Sequence, residues 1–133
     1  MIDAKLQKPN RRYRVLVSDD NDEARDTITA LLESDGFDLY SAASGEEAVE
    51  VFQHQPVDLL IMDMYMPGIT GLQTLELIRQ IAHRSVPCIF VTATDSEELR
   101  RQAMVAGAFT VLRKPVSADL VRAAVRLALK KYF

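Results

Sequence analysis

Residues 59–68 read Leu-Leu-Ile-Met-Asp-Met-Tyr-Met-Pro-Gly. Leu59 to Met62 is a continuous apolar run, which fits a strand covered on both faces, as in a parallel sheet. Asp63 terminates the run. A lone carboxylate at the end of such a strand is costly unless it is paired or hydrated. Met64 to Thr70 follows as a loop around Pro67-Gly68, and Leu72, Leu75, Ile78 and Ile81 then recur at helical spacing.

The same alternation of short apolar runs and longer amphipathic stretches continues outward. Toward the N-terminus, Val15-Leu16-Val17 stops abruptly at Asp19-Asp20. Asp22 to Ser34 carries Ala24, Ile28, Leu31 and Leu32 at helical spacing, with Gly36 as its stop signal. Phe37 to Ala42 reads as a second strand, and Asp35 and Asp38, on either side of Gly36, read as turn residues. Ser44 and Glu47 form a capping-box pattern before a helix to about Gln53, with Ala48, Val49 and Phe52 facing inward and Pro56 ending it.

Toward the C-terminus, Val86 to Val91 is another fully apolar strand, ending at Thr92. Glu97 to Ala106 reads as a helix with Leu99, Ala103 and Met104 on one side, Gly107 as its stop, and Thr94 to Glu97 as its capping box. Thr110-Val111-Leu112 is a short fifth strand, broken by Lys114-Pro115. Ser117 caps a last helix that turns Leu120, Val121, Ala124, Val125, Leu127 and Ala128 to its apolar side. The pattern is (βα)₅, an α/β fold. It predicts a doubly wound five-stranded parallel sheet with right-handed crossovers and helices on both faces.

The chain of 133 residues suits one domain. Residues 1–13 are read as a basic N-terminal arm and 14–133 as the folded body. Lys5, Lys8, Arg11, Arg12 and Arg14 face Asp3 alone in the first fourteen residues, so with a net charge of −3 the remainder carries −7. A body this acidic is not expected to bind nucleic acid directly. The single cysteine, Cys88, excludes an internal disulfide and sits in an apolar run where it reads as a small core residue. His54 and His83 lack the neighbours a zinc site needs. No membrane span or signal peptide is expected, Met1 reads as a native start, and the location is read as cytoplasmic.

Ligands of open α/β sheets bind beyond the carboxyl ends of the strands. Here those ends carry Asp19-Asp20, Asp63, Thr92 and Lys114. Three carboxylates in one crevice repel one another unless a cation sits among them, and hard oxygen donors suit Mg²⁺. A carboxylate can attack phosphorus to give an aspartyl phosphate. The oxygens of the transferred group then need compensation, which Mg²⁺, the Lys114 ammonium, the Thr92 hydroxyl and backbone N–H groups could share. Viewed singly, each residue has a plainer reading. Asp19-Asp20 caps the first helix as readily, Thr92 caps a strand end, Lys114 is a solvated lysine, and Asp63 is half of a surface salt bridge with Lys114. Met62 reads as core, and Met64 and Met66 as loop side chains beside the site.

Asp19-Asp20, Asp63-Met64-Tyr65-Met66-Pro67-Gly68, Thr92-Ala93 and Lys114-Pro115 together closely resemble the signature of response regulator receiver domains, over about Arg14 to Lys131. The resemblance implies a flavodoxin-like sheet with strand order 2-1-3-4-5. It implies Asp63 as phosphoacceptor, Asp20 as a direct Mg²⁺ ligand, Asp19 acting partly through water, and the backbone carbonyl of Tyr65 as a further ligand. Lys114 would pair with the acids and then with the phosphoryl group, Thr92 would turn inward to that group, and the Lys114–Pro115 bond would be cis. The donor would be a sensor histidine kinase or a histidine phosphotransfer protein. The response would pass through the surface of the fourth helix, fifth strand and fifth helix to a downstream effector or output domain. Arg100, Arg101, Arg113, Arg122 and Arg126 make parts of that surface basic. Homodimerisation is a further partner reading.

The chain departs from the family at Val111, where many receivers carry an aromatic residue that couples to the threonine. The nearest aromatic, Phe109, is expected on the same side as Val111 because strand side chains alternate. Val111 therefore favours a second reading, a phosphorylation-independent interaction module. Two enzyme readings fit less well. A flavin carrier wants a phosphate-cradling loop where this chain has Asp19-Asp20-Asn21-Asp22. A haloacid-dehalogenase-type phosphatase is matched by Asp20 and Asp22 but not by the Asp63 loop or Lys114. A signalling switch, not an enzyme, is the reading that uses every strand-end residue.

Overall fold

The computed structural model describes residues 12–94 and 96–133. The strands are β1 (Arg14–Ser18), β2 (Asp38–Ala42), β3 (Leu59–Asp63), β4 (Cys88–Thr92) and β5 (Thr110–Arg113). The helices are α1 (Asp22–Ser34), α2 (Gly45–His54), α3 (Gly71–Ile81), α4 (Glu97–Val105) and α5 (Ala118–Tyr132). All strand pairs are parallel, in the order β2-β1-β3-β4-β5.

Side chains of successive strand residues point to opposite faces, so each buried strand feeds two cores. Leu16, Leu60, Met62, Cys88, Phe90 and Val111 pack with Ala48 of α2, Leu75 and Ile78 of α3, and Leu99 and Ala103 of α4. Val15, Val17, Leu59, Ile61, Ile89 and Val91 pack with Ile28 and Leu32 of α1 and with Val121, Val125 and Leu129 of α5. The uniformly apolar runs of β3 and β4 are the consequence of this double coverage. Among the described residues no helix is long and apolar enough to cross a membrane.

Several local expectations are corrected. β2 begins at Asp38, because the Phe37 N–H closes α1 on the Leu32 carbonyl at 3.1 Å. Asp38 is therefore a strand residue rather than a turn residue. β4 begins at Cys88; Pro87, without an N–H, contributes only its carbonyl, which accepts from Leu60 N at 2.9 Å. The N-cap of α4 is Ser96, not Thr94, and that of α1 is Asn21, not the Asp19-Asp20 pair. At Ser44 the cap forms but the box is half made, since Glu47 accepts from Ala43 N instead of Ser44 N. Met104, Leu120 and Leu127 lie on outer helix faces, each more than half exposed. Phe109 and Val111 face opposite cores, because Phe109 precedes β5 and strand alternation does not reach it.

Residues 1–11 of the expected basic arm lie outside the described residues. Arg12 pairs with Asp38 at 2.8 Å, and buried Tyr13 meets Phe133 edge to face with ring centroids 5.3 Å apart.

Candidate functional site

The strand order puts the topological switch point between β1 and β3, and the chemistry-bearing side chains collect at the carboxyl ends there. Backbone hydrogen bonds continue past the strand ends and hold them. Asp19 N donates to the Ala42 carbonyl at 3.0 Å, Met64 N to Val91 at 3.0 Å, and Lys114 N to Thr92 at 2.7 Å. Asp19, Asp63 and Thr92 are buried, Lys114 is half-buried, and Asp20 is exposed.

Lys114 ties the site together. Its Nζ donates to Asp19 Oδ2 at 2.7 Å and to Asp63 Oδ2 at 3.1 Å, across 95 and 51 residues of sequence. The other Asp19 oxygen accepts from Asn21 N at 2.9 Å, and the other Asp63 oxygen from Tyr65 N at 3.3 Å. One oxygen each from Asp19, Asp20 and Asp63 lies within 4.8 Å of the others. Three carboxylates thus share one ammonium, and negative charge is left over.

Electrostatics follow from that surplus. Burial, and next the charge of Asp19, raise the Asp63 pKa above the usual carboxylate range; Lys114 and the Tyr65 N–H pull the other way and lose. Burial disfavours the Lys114 ammonium, but hydrogen bonds to Asp19 and Asp63 outweigh it and raise its pKa. The donor set fits a hard divalent cation. All three side chains offer oxygen, they converge, and their charge is undercompensated.

Thr92 stands apart from this cluster. Its hydroxyl donates to the Thr94 carbonyl at 2.9 Å and accepts from Thr94 N at 3.1 Å, inside the turn that follows β4. Tyr65 is 52% exposed at the rim. Val111 is buried beneath α4, and Phe109 lies on the opposite face with the Lys131 ammonium 5.8 Å from its ring centroid. The Lys114–Pro115 bond is cis. Of the arginines expected to make the α4–β5–α5 surface basic, Arg101 is paired with Glu98 and Arg122 with Asp35.

Sequence reasoning missed two supports. Ser18 Oγ, buried behind Asp19, donates to the Ser44 carbonyl at 3.2 Å and lies 3.3 Å from Met66 Sδ. Arg25 donates to the Asp19 carbonyl at 2.8 Å and to Asp22 at 2.7 Å. A cation in the first turn of a helix, where the dipole disfavours it, was the signal available for Arg25. Beside Lys114 a cleft of about 610 Å³ opens between α1 and the segment after β5, lined by Asn21, Glu23, Ala24, Thr27, Pro115 and Val116 among others.

Comparison with known proteins agrees with this geometry. The family described as response regulator receiver domain matches residues 15–126. The chain is 34% identical over 119 residues to the response regulator protein PilR of Pseudomonas aeruginosa, covering 90% of this chain and 26% of that protein. A response regulator receiver domain protein from Clostridium thermocellum superposes with TM-score 0.82 at 32% identity, covering 90% of this chain and 95% of that one. A chain of the CheX–CheY–BeF3–Mg²⁺ complex from Borrelia burgdorferi superposes with TM-score 0.83 at 28% identity, covering 96% of this chain and 95% of that one. The chain spans about half or less of the length of the curated relatives it matches.

Proposed function

The chain belongs to the response regulator receiver family, and from that premise we propose that it is a phosphorylation switch whose acceptor is Asp63. The observation that carries the proposal is the Lys114 ammonium bridging Asp19 and Asp63 beside the convergent oxygen of Asp20. That constellation uses all the strand-end acids at once, which a salt bridge alone would not require.

The chemistry is an in-line transfer from a phosphohistidine on a partner kinase or phosphotransfer protein. An Asp63 carboxylate oxygen attacks phosphorus, the P–N bond breaks, and the imidazole leaves with the bonding electrons and takes a proton from water. The product is an acyl phosphate on Asp63. Lys114 already lies on Asp63 and exchanges a carboxylate acceptor for a phosphoryl oxygen. Thr92 gives up its acceptor in the β4–α4 turn for another phosphoryl oxygen, which draws that turn inward. Asp19, Asp20, Asp63 and the Tyr65 carbonyl would hold Mg²⁺, which supplies positive charge for the phosphoryl oxygens. The relative from Borrelia burgdorferi, solved with BeF3 and Mg²⁺, supports the choice of ion. The cleft beside Lys114 leaves an open approach to that side of the site.

Phosphorylation then shifts a two-state equilibrium, and the α4–β5–α5 surface changes its affinity for an output domain, a separate effector or a second copy. A phosphodonor charged from ATP would be met in the cytoplasm, so a cytoplasmic location is part of the same proposal. Water slowly reverses the modification. Tyr65, exposed at the rim, restricts that water, so Tyr65→Asn should shorten the lifetime of the phosphoprotein; an unchanged hydrolysis rate would sink this role.

A phosphorylation-independent module is not favoured, because it leaves the buried, bridged acids without a purpose. The test is intact mass after incubation with acetyl phosphate and Mg²⁺, with Asp63→Asn and chelator controls. One phosphoryl adduct, lost in both controls, is the expected result. A folded, cation-binding protein with no adduct would overturn the proposal.

A further inference from the structure

Arg25 is the fourth residue of α1, at the end where the unpaired backbone N–H groups make the helix dipole positive. A cation gains nothing from the dipole there. Its side chain is nevertheless only 14% exposed, and its guanidinium is anchored on two sides. Nη1 donates to the main-chain oxygen of Asp19 at 2.8 Å, and Nη2 to Oδ1 of Asp22 at 2.7 Å.

The Asp19 oxygen belongs to the peptide unit joining Asp19 to Asp20. That unit is planar, so holding its oxygen fixes the direction in which Asp20 leaves the β1–α1 turn. Asp20 is the acid that needs such help. Asp19 and Asp63 are each held by Lys114 and a backbone N–H. The Asp20 side chain is exposed and has no hydrogen-bond partner among the described residues, yet it converges with the other two.

We propose that Arg25 is a positioning residue: by clamping the Asp19–Asp20 peptide it aims the Asp20 carboxylate at the other two acids and so sets the affinity of the site for a divalent cation. The inference rests on the cation-dependent reading above.

The sign of the effect separates positioning from charge. If Arg25 acted only as a nearby positive charge, its removal would tighten cation binding. Positioning requires the reverse. Arg25→Ala should weaken Mg²⁺ binding about tenfold, the scale on which orienting partners of metal ligands act. Arg25→Lys keeps the charge but not the planar fork that reaches both acceptors, and should fall between.

The experiment is calorimetric titration of the full chain and both variants with MgCl₂, with circular dichroism melts to verify the fold. Affinity falling in the order native, Lys, Ala supports the proposal. Binding by Arg25→Ala as tight as native or tighter overturns it, and leaves the phosphoacceptor reading intact because that stands on the Asp63 adduct. If Arg25→Ala does not fold, Arg25→Lys decides alone, and native affinity in that variant overturns the proposal. A native chain that binds no Mg²⁺ would sink this inference and the metal part of the proposed function together.

Discussion

Asp63 is buried beside Asp19, and burial first, then that neighbouring charge, raise its pKa. A carboxyl whose folded pKa is raised contributes stability that is complete below its unfolded pKa and is lost as the pH rises through the folded value. At neutral pH the ionised Asp63 therefore costs the metal-free fold stability. Asp63→Asn removes the charge while Lys114 keeps Asp19. We expect the variant to melt higher than native without metal at pH 7, by an amount on the order of 1 kcal/mol, with the gain shrinking as the pH is lowered. A lower melting point would show that the Lys114–Asp63 pair outweighs the repulsion. Cys88 gives a second residue-level expectation. Burial pushes its thiol up to about 12, with Arg79 opposing weakly. In the unfolded chain the thiol ionises near its ordinary value of about 8.5, so the proton-linked stability is complete below that pH and falls away between there and about 12. At pH 8 a disulfide reagent should leave the native thiol unmodified and titrate it once urea unfolds the chain; rapid native reaction would contradict the burial.

The elements end where backbone chemistry makes them end. After α1, Gly36 takes φ +92° while its N–H and that of Phe37 bond back to Glu33 and Leu32. A Cβ at Gly36 would meet nothing within 4 Å, so substitution there isolates the conformational cost. Gly36→Ala should lower the unfolding free energy by about 1–2 kcal/mol, and Gly36→Asn by less, since Asn tolerates this conformation; urea titration measures both. At this scale sequence patterning was sound for the apolar strands and weaker for helix faces. Met104, Leu120 and Leu127 fit the helical spacing yet face outward, because an apolar residue beside the buried stripe satisfies the period as well as one within it. The placement of Phe109 opposite Val111 had the same origin: alternation holds only inside a strand, and β5 starts one residue later.

At the scale of the molecule, folding itself builds the acidic crevice. Asp19, Asp20 and Asp63 meet only when β1 and β3 pair, so a cation that binds them stabilises the native state by mass action. The gain is about 2.7 kcal/mol at a hundred times the dissociation constant. Added MgCl₂ should raise the melting temperature saturably and reversibly with chelator, and Asp20→Asn should blunt the rise; an equal rise in that variant would remove Asp20 from the site. The sheet, the strand-end identity of Asp19, Asp63, Thr92 and Lys114, and the acidic character of the site were all determined by the sequence, because uninterrupted apolar runs stopped by polar residues define a covered strand and its rim. The family resemblance already implied that Lys114 pairs with the acids, but only the tertiary structure decided the individual contacts. Lys114 reaches both Asp19 and Asp63, Thr92 turns to Thr94 instead, and Arg25 folds back onto the Asp19 carbonyl. The physical reason is that periodicity reports which face a residue occupies, whereas a hydrogen bond depends on ångström-scale distances and rotamers set by packing across the sheet.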